Sequence, residues 1–161
     1  MYKHYDPLTE AELETLLTLK DQVPFKIATS YKRRMGENGN KALSIYNYSK
    51  WFEWTKPQRE LFKEGFSNDA LDKAVQGWFL ELPAGKGFLD RMTTWVDKPG
   101  SGTIIATALK DQDILLDDKS VHLKKGEQIG FHLSTIHQIA PSKEGQLWAC
   151  IMVRGDHEKL T

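Results

Sequence analysis

The stretch GEQIGFHLSTIHQI, residues 126–139, places two histidines, His132 and His137, five positions apart in an apolar run that a glycine opens. An imidazole can ligate a metal, exchange protons near neutral pH, or sit in a core with its nitrogens satisfied by neighbours. All three remain open for His137, at the start of a β-prone run. On an alternating strand His132 takes the face opposite Phe131, which points to a structural role, with a metal site shared with His137 as the other option. His122, in SVHLKKG, alternates with apolar neighbours and reads as a surface residue on an edge strand. Asp97 precedes Lys98, Pro99 and Gly100, which is turn chemistry, so it is either a turn-capping carboxylate or a metal ligand. Cys150 is the one cysteine of the chain, within LWACIMV. An internal disulfide and a cysteine-rich zinc site are therefore excluded, and a buried hydrophobe is the expected role.

The elements that must hold these groups belong to a chain of 161 residues with 40% hydrophobic residues, enough for one core. We expect a single domain over 1–161, with an N-terminal part, 1–75, and a β-roll core, 76–155. Basic and acidic residues are balanced at 22 each, with no basic block to meet a run of phosphates, so nucleic acid is not an expected partner. No apolar run approaches the roughly 20 residues of a membrane helix, and MYKHYDPLTEAELETLL is too acidic and interrupted for a signal peptide. A soluble cytoplasmic protein is expected.

Pro7, Thr9, Glu10 and Glu12 followed by Leu13, Leu16, Leu17 and Leu19 predict a helix over about 8–21. VPFKIATSY and KALSIYNYS flank Gly-Asn turn chemistry and predict a hairpin turning at 36–40. Two short helices follow, one over KPQRELFKEGF and one over DALDKAV, capped by Ser67 or Asn68. The aromatic residues of SIYNYSKWFEWTKP read as packing that seals the roll, with a stacking platform for a ligand as the alternative. From Gly77 on, β-prone runs recur at about 8 to 12 residues with turn signals between them, the pattern of an all-β barrel or sandwich.

GEQIGFHLSTIHQIAP resembles the distal half of a double-stranded β-helix, the jelly roll shared by cupins and Fe(II)/2-oxoglutarate oxygenases, including the phytanoyl-CoA dioxygenase type. Gly126, Phe131 and His137 have the spacing of the glycine turn, strand and distal metal histidine; His132 and Ser134 stand where the second cupin motif has its proline and glycine. LPAGKGFLDRMTTWVDKPGSGTIIATAL is similar to the oxygenase segment that carries a His-x-Asp pair. The resemblance extends to small oxygenases encoded by tailed bacteriophages, which would allow a virion location.

That family implies two imidazoles and one carboxylate on iron. Asp97 and His137 take the carboxylate and distal histidine positions, but Trp95 stands where the first histidine belongs, and no histidine occurs between His4 and His122. An indole has no lone pair for a metal. Thr93 and Trp95 likewise fill the places of the first cupin histidines. The basic side chain that clamps 2-oxoglutarate on the last strand is also missing, because Leu147 and Trp148 occupy its neighbourhood and Arg154 lies further along. The expected fold is thus mainly β (α+β), a double-stranded β-helix jelly roll under an N-terminal helix, hairpin and helix layer. The expected function is a non-catalytic binding or assembly protein without a cofactor, acting on a protein partner or as a homo-oligomer, with no nucleic acid and no membrane. The alternative is an Fe(II)/2-oxoglutarate oxygenase of the hydroxylase type, with Asp97, His137 and a third ligand such as His132 on the metal and Arg154 on the co-substrate.

Overall fold

A computed structural model describes residues 2–22, 49–51, 56, 60, 62, 74–85, 88–92, 102–132 and 135–154. The predicted hairpin turning at 36–40, Trp95 and Asp97 lie outside these residues.

The first helix, α1, runs from Glu10 to Gln22. Its start is fixed by a reciprocal capping box: the Thr9 hydroxyl accepts from the Glu12 amide at 3.2 Å, and the Glu12 carboxylate accepts from the Thr9 amide at 3.0 Å. Leu8 and Leu13, at the two positions of a hydrophobic staple, are buried in one cluster. Acidic Glu10 and Glu12 in the first turn and Lys20 in the last complement the helix dipole. Lys20 also reaches the carboxylate of Glu81 at 3.0 Å, tying the helix to the sheet beneath it.

Among the described residues the strands form two antiparallel sheets. Strands β1 (Tyr2–Tyr5), β2 (Ser49–Trp51), β3 (Ala74–Leu82), β5 (Gly102–Ala108), β8 (Gln128–His132) and β10 (Gln146–Arg154) build a six-stranded sheet in the order β1-β8-β5-β10-β3-β2. Strands β4 (Phe88–Met92), β6 (Gln112–Leu116), β7 (Lys119–Leu123) and β9 (His137–Ile139) build a four-stranded sheet in the order β4-β9-β6-β7. The inner faces meet in one apolar cluster that includes Trp78, Leu80, Ile104, Ile114, Leu116, Phe131, Trp148, Cys150 and Met152. On the outer face of the larger sheet, Phe79, Ile105, Leu147, Ala149 and Ile151 pack with Leu13, Leu16 and Leu19 of α1. Each large aliphatic side chain so buried contributes about 1.5 to 3 kcal/mol. This explains two sequence textures. Strands β5 and β10 lie between two covered faces and are apolar at consecutive positions, whereas β6 and β7, with one face in solvent, alternate.

The roll departs from the sequence expectation in two places. Tyr2–Tyr5 form an edge strand, pairing with β8 from Tyr2 opposite Phe131 to Tyr5 opposite Gln128. The helix expected over DALDKAV does not include its last two residues, Ala74 and Val75, because they open β3, where Ala74 pairs with Val153 and is buried. Pairing with β10 outweighs local helix propensity there. In the preceding segment, Lys56, Glu60 and Phe62 have helical backbone as expected. Phe62 is fully buried, with its ring centroid 5.4 Å from that of Phe79.

The turn into β10 depends on a glycine. Gly145 has φ +74°, and a Cβ there would lie 2.3 Å from the carbonyl oxygen of Leu82. Gly85, with φ +77°, has open space where its Cβ would go. Gly145→Ala is therefore expected to cost about 2 to 5 kcal/mol, combining left-handed strain with overpacking, and Gly85→Ala about 1 kcal/mol. Urea unfolding midpoints at unchanged m-value measure both, and equal costs at the two positions would contradict the assigned clash.

Candidate functional site

The two histidines of the opening stretch lie on either side of a bend between the sheets. Phe131, on β8, points into the space between the sheets beside its cross-strand neighbour Tyr2. The chain then leaves the six-stranded sheet and re-enters the four-stranded one at His137, which opens β9 opposite Leu116 of β6 and Met92 of β4. Backbone bonds fix the bend: the Thr135 amide donates to the His132 carbonyl at 2.9 Å, and the Asp117 amide to the Ile136 carbonyl at 2.8 Å. The Asp117 carboxylate in turn accepts from the Ile136 amide at 3.1 Å.

His137 is partly buried, its ring 5.5 Å from that of Phe131 between centroids. Its Nδ1 lies 3.0 Å from the Thr135 carbonyl. A carbonyl can only accept, so the proton is on Nδ1 and the lone pair of the neutral ring is on Nε2. Burial pushes the imidazole below its ordinary value, and the bond to Thr135 only partly offsets this. His137 is therefore a neutral, oriented imidazole at neutral pH.

Strand alternation sends His132 to the face of β8 opposite Phe131, so the two histidines do not share a face. His122 is exposed on the edge strand β7, as its sequence context suggests, and its Nδ1 lies 2.6 Å from Asp113 on β6. Cys150 is buried on the inner face of β10, and burial raises its thiol pKa far above the ordinary range, as expected of a packing residue. Arg154 is the last residue of β10, paired with Gly102. Met152, Ile104 and Phe131 share one rung across β10, β5 and β8, so Arg154 starts about 7 Å further along the strand.

Sequence reasoning grouped Leu147 with Trp148 near the co-substrate position, but the two part company. Leu147 faces the α1 layer, and its backbone is clipped by the Gln112 amide group, which donates to the Leu147 carbonyl at 2.7 Å and accepts from its amide at 2.9 Å. Trp148 faces the interior with 1% of its surface exposed. Its indole N–H donates to Gln146 Oε1 at 2.8 Å, and Gln146 Nε2 donates to the Asp113 carbonyl at 3.1 Å. This chain of polar atoms was missed. Its signal in the sequence is a glutamine two residues before a tryptophan, on the same strand face.

Among the described residues, no three His, Cys, Asp or Glu side chains come together closely enough to hold a metal ion.

No protein-family model matches the chain, and no curated protein does. Solved structures do. The chain is similar to AviO1 from Streptomyces viridochromogenes Tue57, with 12% identity and a TM-score of 0.61 over 96% of this chain and 89% of that one. It is similar to a prolyl hydroxylase from Trichoplax adhaerens, solved with a hypoxia inducible factor oxygen degradation domain peptide fragment, with 12% identity and a TM-score of 0.53 over 98% of this chain and 84% of that one. A prolyl-4-hydroxylase from Pseudomonas putida gives 10% identity and a TM-score of 0.52, covering 96% and 92%. At such identities the likeness establishes the fold, the double-stranded β-helix expected from the sequence, under a helical layer.

The depressed His137 pKa fixes a sign. The unfolded chain takes up this proton at a higher pH than the folded one, so the contribution of His137 is constant above pH about 6.5 and stability is lost as pH falls below that value. His137→Asn keeps a donor at the Nδ1 position for Thr135 and removes the titration. Between pH 7.5 and 5.5 the wild type is expected to lose up to about 1.4 kcal/mol more than this variant in urea unfolding. Parallel pH profiles would show that the imidazole is not held in a desolvated site.

Proposed function

We propose that the protein is a non-catalytic binding or assembly protein on an oxygenase-like jelly roll, acting through its outer surface on a protein partner or on further copies of itself. An assembly role in a virion belongs to the same reading. One observation carries it: from Trp148 to Met152 the inner side chains of β10, Trp148, Cys150 and Met152, are neutral, buried and packed into the inter-sheet core. 2-Oxoglutarate is a dianion, and burying its carboxylate against such a row without a cationic partner costs several kcal/mol. The indole is moreover fixed by Gln146 rather than free to swing aside. Trp95, at the sequence position of the first metal histidine, removes a second requirement of the same chemistry.

A second reading, an Fe(II)/2-oxoglutarate oxygenase using Asp97 and His137 with Arg154 on the co-substrate, has one observation in its favour. The Nδ1 bond to Thr135 is the kind of outer-sphere bond that orients a metal-bound histidine.

Anaerobic addition of Fe(II) and 2-oxoglutarate separates the two. The first reading predicts no visible charge-transfer band, and one equivalent of Fe(II) or Zn(II) shifting the melting temperature by no more than about two degrees. A band that disappears in His137→Ala, with a shift of about ten degrees or more in the wild type, would establish the second reading instead.

A further inference from the structure

We draw no further inference here: the strongest candidate, the exposed Asp113–His122 pair on the outer face of the β6–β7 hairpin, brings one oriented imidazole and one carboxylate together in open solvent, and nothing in the structure shows what would bind there.

Discussion

Strand β10 is buried on both faces, and the rest of the molecule is arranged around that constraint. It pairs with β3 on one side and β5 on the other, and its side chains alternate between two cores. Leu147, Ala149, Ile151 and Val153 face the helical layer, while Trp148, Cys150 and Met152 face the smaller sheet. A central strand of this kind leaves no backbone group to water, so the turn that delivers it must be accurate. Gly145 permits that turn where any side chain would meet the Leu82 carbonyl, and the Gln112 amide, at the start of β6, holds Leu147 in place. Slipping β10 by one residue would exchange its two apolar sets and send Trp148 into the α1 layer.

The same constraint governs the chemistry of the interior. A roll that bound an anionic co-substrate would need a charged or hydrogen-bonding partner for it in the interior. Here the inner side chains from Trp148 to Met152 are an indole, a thiol and a thioether, and the one polar atom of the indole is satisfied by Gln146. At the other end of the interior, His137 rests against Phe131 as a neutral ring. Its environment suits a core histidine, and its tautomer is also the one a metal ligand needs. That double suitability keeps the opening stretch ambiguous on sequence grounds.

Much of the roll was legible because its turns are written in the chain. Gly126 and Gly145 take positive φ between strands, and Asp117 and Asp118 do so at the β6–β7 hairpin, so the punctuation seen in the sequence marks real reversals. The placement of His132 on the face opposite Phe131 followed from strand alternation. Other features depend on distant partners and carry no local signal. YKHY is short and polar, and it becomes a strand because β8 offers an open edge where Gly130 leaves room for the Tyr5 ring. Ala74 pairs with Val153 of β10, and Val75 is the extra residue at the irregularity beside it, so both belong to β3. In QLWACIMVR nearly every position is apolar, so periodicity could not say which face was the interior, and Leu147 and Trp148 were read together. The His137 tautomer was likewise illegible, since it is set by a carbonyl that only the bend brings within reach.

The proposed reading is a roll that holds no tightly bound transition metal. The most direct measurement is the metal content of protein purified without chelator, by elemental mass spectrometry, for the wild type and His137→Ala. The account predicts transition metal far below one equivalent, and no difference between the two proteins. Near-stoichiometric iron, manganese or zinc in the wild type, lost in His137→Ala while the variant remains folded, would contradict it.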